Sequence, residues 1–184
     1  MKNEMRKIYK NKRSLMTCTE VSEKSSSACS LFLKSDVYKN ANEIMIYMPL
    51  GNETDTTLII NKAFADGKKL IFPVTDSDTG EITPCYATSD THFKRGAFSV
   101  KEPDVLNPAN PEDIDIIIVP GIVFDAKGTR IGFGKGCYDR LLCNTKAVKI
   151  GFCYDWQVCS EIPAEEYDVK MDYIFTEKRM ISIK

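Results

Sequence analysis

Histidine and tryptophan are nearly missing from this chain of 184 residues, which has one of each. His92 alone cannot build a histidine-cluster metal site. It also leaves serine/histidine or cysteine/histidine nucleophile chemistry a single candidate base. Excess charge of one sign is missing too. The net charge is −1, with 25 Lys and Arg against 26 Asp and Glu. No general basic field is available for nucleic acid. Long hydrophobic runs are absent, and stretches such as Ile114 to Val119 are far too short to span a bilayer. Lys2, Arg6, Lys7, Lys10, Lys12 and Arg13 crowd the N-terminus with no apolar stretch behind them, unlike a secretory leader. Seven cysteines, an odd number with no C-x-x-C pair, fit reduced thiols in a cytoplasmic protein rather than a disulfide frame or zinc site. We therefore expect a cytoplasmic, single-domain monomer spanning residues 1–184 and acting on small molecules, without nucleic-acid or membrane partners.

Apolar strand patterns alternate with helical ones. Residues 2 to 15 carry a helical face of Met5, Ile8 and Leu15. Thr17 and Glu20 form a capping box for a second helix reaching about residue 35. Glu43 to Leu50 reads as a buried strand, 57 to 66 as a helix capped by Asp55 or Thr56, and Lys69 to Val74 and Ile82 to Ala87 as strands. Residues 88 to 112, with Pro103, Pro108 and Pro111, read as an irregular excursion. Asp115 to Val119 is a clear strand, and later strands fall at 147–153, 173–176 and 180–183. The pattern predicts an α/β fold: three layers, a mostly parallel, Rossmann-like open sheet, helices on both faces.

Residues 119 to 142 carry the chemistry. Gly121, Gly128, Gly132, Gly134 and Gly136 lie between a β-branched run and an amphipathic helix start, with Arg130 and Lys135 among them. Glycines let backbone N–H groups approach a ligand, and the two cations supply charge-assisted bonds to phosphoryl oxygens. Asp139, just past the loop, suits phosphate only through a bridging cation, which implies Mg²⁺. The loop is neither Walker A, since Gly136 follows Lys135, nor a dinucleotide fingerprint, since Cys137 stands where the third glycine belongs.

Gly132-Phe-Gly134-Lys135-Gly136-Cys-Tyr138-Asp139-Arg140 resembles the L-G-x-G-x-G-Y-Y-D-R signature of the 5-formyltetrahydrofolate cyclo-ligase family. Val119-Pro120-Gly121-x-x-Phe124-Asp125-x-x-Gly128 matches that family's V-P-G-x-x-F-D-x-x-G. Lys2-x-x-x-Arg6 matches its K-x-x-x-R, Gly51-Asn-Glu53-Thr-Asp55-Thr56 resembles its G-E-x-D-T, and Val169-Lys-Met-Asp172 resembles its V-P-V-D. Two departures stand out: Cys137 replaces the first tyrosine, and an extra Asn52 separates glycine from glutamate.

The resemblance implies an ATP- and Mg²⁺-dependent enzyme that converts 5-formyltetrahydrofolate to 5,10-methenyltetrahydrofolate through a phosphorylated formyl group. ATP is the co-substrate that the resemblance implies. Lys135, Arg130 and Glu53 are the expected catalytic residues. Lys2, Arg6, Arg130, Gly132, Gly134, Lys135, Gly136 and Tyr138 are expected at ATP. Met48, Glu53, Phe133, Gly134, Lys135, Gly136, Cys137 and Tyr138 are expected at the folate, and Asp139 with Asp172 at the metal. Tyr154 and Trp156 read as core packing. Two other functions remain open on a scaffold of this kind: a nucleotide- or sugar-phosphate sensor, and a phosphosugar isomerase using Glu53 as its base.

Overall fold

Ile116 to Val119 alternate between two cores, and that alternation organises the molecule. The computed structural model describes residues 1–183. The helices are α1 (Lys2–Ser14), α2 (Cys18–Lys34), α3 (Asp36–Asn40), α4 (Thr57–Ala65) and α5 (Cys137–Leu142). The strands begin with β1 (Glu43–Met45), β2 (Lys69–Thr75), β3 (Ile82–Ala87), β4 (Phe93–Arg95), β5 (Lys101–Pro103) and β6 (Ile116–Val119). They continue with β7 (Val123–Asp125), β8 (Arg130–Ile131), β9 (Val148–Phe152), β10 (Val158–Cys159), β11 (Tyr173–Phe175) and β12 (Met180–Ser182).

The main sheet runs β12-β11-β9-β6-β1-β2-β3. Its five inner strands pair in parallel, and β3 and β12 close the edges antiparallel. The fold is therefore α/β with a mostly parallel sheet, as the alternation of patterns predicts. Ile116 and Ile118 face one core with Ala28, Phe32, Tyr38, Ile59 and Ala63 from α2, α3 and α4. Ile117 and Val119 face the other with Leu141 and Leu142 of α5, Phe124 and Met171. That second face carries less helix than expected. Its cover is the six-residue α5 and a small sheet ordered β10-β7-β8.

Local signals act as their chemistry requires. Thr17 and Glu20 make the reciprocal capping box of α2. At α4 the Asp55 carboxylate accepts the Thr57 N–H at 2.8 Å, while the Thr56 hydroxyl donates to the Tyr47 carbonyl. Two expectations need correction. The strand expected over 43–50 pairs on both sides only through Met45, and beyond Ile46 the chain turns away toward Glu53. The excursion at 88–112 contains a hairpin, β4 with β5.

Candidate active site

The carboxyl ends of β1 and β6 open into a cavity of about 870 Å³. Crevices at this end of an open α/β sheet are where ligands bind. Its wall includes Lys2, Arg6, Met48, Glu53, Arg130, Gly132, Phe133, Gly134, Lys135, Gly136, Cys137, Tyr138 and Asp139. Every residue expected at a site is there except Asp172.

Asp172 lies at the opposite end of the sheet, just before β11. Its carboxylate accepts the Lys149 backbone N–H at 2.7 Å and so ties β11 to β9. A strand's length separates that end from the ligand end, so the structure does not bring Asp172 to the metal position expected of it.

Arg130 is delivered by the β7–β8 hairpin. The fully buried Asp125 carboxylate accepts three backbone N–H groups, from Lys127 at 3.0 Å, Thr129 at 2.9 Å and Ile162 at 2.8 Å. Gly128 turns the corner with φ +84°, and a Cβ there would sit 2.7 Å from the Met171 carbonyl oxygen. Arg130 itself is buried. Its guanidinium donates to the Pro120 carbonyl at 3.3 Å and to Asp139 Oδ1 at 3.0 Å, and its Nε has no partner. A buried donor left unpaired is costly.

The glycine loop lies open above it. Gly134 takes φ +100°, and a Cβ there would lie 3.4 Å from the Arg6 guanidinium carbon. Arg6 Nε donates to the Gly132 carbonyl at 2.8 Å. Lys135 is exposed, and its Nζ stands 4.2 Å from the Phe98 ring centre. With only six residues, α5 contributes little dipole, so the cations supply most of the positive charge.

Glu53 is 5% exposed. Oε2 accepts the Leu50 N–H at 3.0 Å. Oε1 lies 3.4 Å from an Arg13 guanidinium nitrogen, within ion-pair reach but without the alignment of a hydrogen bond. Burial pushes this carboxyl above the ordinary range, and the Arg13 charge pulls partly back. Tyr154 is wholly buried and donates to the Glu53 carbonyl at 3.2 Å, so it is packing. Trp156 stacks on Tyr9, with centroids 6.0 Å apart.

Sequence reasoning missed three residues. Phe98 lines the cavity from the tip of the β4–β5 hairpin, where it and Ser99 have positive φ of 55° and 64°. Such strained backbone gathers at ligand sites. Arg13 stands in the sequence only as one of the cations that crowd the N-terminus. Asp168 also lines the cavity and pairs with Lys2 at 2.6 Å. The first had a signal in the unusual Gly96-Ala-Phe98 tip, while the other two depend on long-range docking that no local pattern reveals.

The extra Asn52 has a structural use. Its side-chain amide donates to the Arg13 and Met16 carbonyls at 3.1 and 3.0 Å, fastening the end of α1 to the Glu53 loop. Cys137 is half-buried on the cavity wall, and all seven cysteines are free thiols.

The chain is similar to a 5-formyltetrahydrofolate cyclo-ligase of Mycoplasma genitalium, at 32% identity over 94% of this chain and 96% of that protein. Its fold matches the solution structure of a 5,10-methenyltetrahydrofolate synthetase from Aquifex aeolicus, with TM-score 0.89 and 34% identity over 100% of this chain and 93% of that one. A 5,10-methenyltetrahydrofolate synthetase structure from Mycoplasma pneumoniae matches with TM-score 0.77 and 26% identity over 96% and 98%. The sequence profile of the 5-formyltetrahydrofolate cyclo-ligase family matches residues 1–177, and the chain belongs to that family.

Proposed function

We propose that this single-domain protein converts 5-formyltetrahydrofolate and ATP to 5,10-methenyltetrahydrofolate, ADP and phosphate. The observation that carries this reading is one cavity with two chemistries. Arg130, Lys135, Lys2 and Arg6 gather charge for a triphosphate. Met48, Phe98, Phe133 and Tyr138 give an apolar and aromatic wall, with Glu53 as its acceptor. The volume falls within the range of small-molecule sites.

The formyl oxygen attacks the γ-phosphorus of ATP as the bond to ADP breaks, leaving an iminium phosphate on N5. The N10 amine of the same folate then attacks the formyl carbon. Phosphate leaves with the formyl oxygen, and N10 loses its proton as the methenyl bridge closes. Both nucleophiles belong to the substrate, so no serine or cysteine nucleophile is needed. The protein aligns two ligands, neutralises phosphate charge and excludes water. Arg130 and Lys135 would hold the γ-phosphoryl oxygens, and Glu53 would accept hydrogen bonds from the pterin.

Among the described residues no group of three carboxylates, thiols or imidazoles can enclose a metal. Mg²⁺ needs no such cage, because it binds through one or two carboxylates plus substrate phosphates. Asp139, whose carboxylate is partly open beside Arg130, fits that role and would hold Mg²⁺ on the nucleotide. The ion would supply charge neutralisation at the phosphates.

The test is to add 5-formyltetrahydrofolate and Mg·ATP and follow methenyl absorbance in the near ultraviolet. ATP-dependent absorbance is expected. Binding without turnover would point to a sensor, and turnover of a phosphosugar without ATP to an isomerase.

A further inference from the structure

Helix α1 brings Lys2 and Arg6 to the cavity wall and Arg13 behind Glu53, outside the cavity lining, yet none of its residues is buried. Its attachments are mostly polar. Lys2 pairs with Asp168 at 2.6 Å and Glu165 at 3.3 Å, Arg6 reaches the Gly132 carbonyl, and Arg13 reaches Glu53 and the Gly121 carbonyl. Asn52 holds the last turn. Met5 and Tyr9 add half-buried packing against Val123, Ile131 and Ile162. The helix carries six cations against one carboxylate, Glu4, and two of them, Lys2 and Arg6, share the cavity wall with Arg130 and Lys135, so its docked position is the one a polyanion stabilises.

Glu53 depends on that docking. Apart from the Leu50 N–H, Arg13 is the group that offsets its buried charge. The other ionisable groups facing it are the Tyr47 and Tyr138 hydroxyls, which burial keeps protonated. Removing Arg13 favours the protonated carboxyl, which turns one of its two acceptor oxygens into a donor.

We propose that Arg13 is a positioning residue for Glu53, through which a nucleotide on Lys2 and Arg6 tightens the folate site. The proposal rests on the cyclo-ligase reading of the cavity. A helix is stiff over α1's length of roughly 20 Å, so seating its first turn on phosphates also seats its last turn on Glu53. Coupling of this kind is reciprocal: folate should tighten nucleotide binding by the same factor.

Trp156 is the only tryptophan, and it lies against Tyr9 and under the Lys12 ammonium at 4.5 Å. Its fluorescence therefore reports α1 docking directly. The experiment titrates 5-formyltetrahydrofolate by calorimetry, with and without Mg²⁺ and a non-hydrolysable ATP analogue, while Trp156 emission is followed. In the wild type the analogue should shift the emission and tighten folate binding about five-fold. Arg13→Gln should weaken folate binding roughly ten-fold, keep nucleotide affinity within about three-fold in the absence of folate, and reduce the coupling to about one. It should also move the acid limit of folate binding to higher pH, and Arg13→Lys should restore much of the loss. Asn52→Ala, which leaves both charges in place, should lower the coupling as well. Unchanged folate affinity and coupling in Arg13→Gln would overturn the proposal. So would an equal loss of both ligands with a lowered melting temperature, the mark of a merely structural residue. Wild-type protein that binds neither ligand would sink the cyclo-ligase reading itself, and the proposal with it.

Discussion

The two cationic walls of the cavity are held by different means. The β7–β8 hairpin is fixed from within: Asp125 gathers three backbone N–H groups, Gly128 fits under a carbonyl, and Arg130 is buried. Helix α1 is fixed from without, by ion pairs, a stapling amide and ring stacking, and has no buried residue. One wall costs stability when altered and the other costs binding. A phosphoryl-transfer site needs cations in place at the moment of reaction, which suits the rigid wall. It must also admit two ligands and release products, which suits the docked one.

This contrast can be broken at several points. Arg130→Ala should have the largest effect, lowering kcat by about a thousand-fold, because it removes a buried charge from the fixed wall. Lys135→Ala, on the exposed loop, should lose less, about a hundred-fold. If steady-state kinetics reverse that order, the fixed wall is not the catalytic one. Asp125→Ala should destabilise the fold by about 3 kcal/mol, since it orphans three N–H groups, and denaturant unfolding measures it. A loss under ~0.5 kcal/mol would show that the hairpin does not depend on its carboxylate. Lys2→Ala should leave stability nearly unchanged and raise KM for ATP roughly ten-fold, with weaker salt dependence than the wild type. A fall in kcat with constant KM would move Lys2 out of ground-state nucleotide binding. Cys137→Tyr, which restores the aromatic ring seen in the family signature, should change KM for folate by no more than about three-fold. A larger change would make Cys137 a determinant of how folate sits.

The cavity's glycine-rich wall was legible in the sequence because its parts are local. Gly132, Gly134, Gly136 and Lys135 lie between Arg130 and Asp139 in the chain, and all six line the cavity. Strand β6 and helices α2 and α4 were legible from periodicity and capping. The hairpin that presents Arg130 was not, because strands of two and three residues carry no usable period. Strand β1 read too long, since the chain past Ile46 stays buried after it leaves the sheet. Asp172 was misplaced because the family motif gives order along the chain but not which end of a strand a carboxylate occupies. Arg13 and Asp168 became visible only once α1 was docked, as their partners lie 40 and 166 residues away.

The most direct measurement is a structure with 5-formyltetrahydrofolate and Mg²⁺ plus a non-hydrolysable ATP analogue bound together. The formyl oxygen should lie about 3–3.5 Å from the γ-phosphorus, with Arg130 and Lys135 on the phosphoryl oxygens and Glu53 on the pterin. Ligands in separate sites, or phosphates bound away from Arg130 and Lys135, would contradict the account.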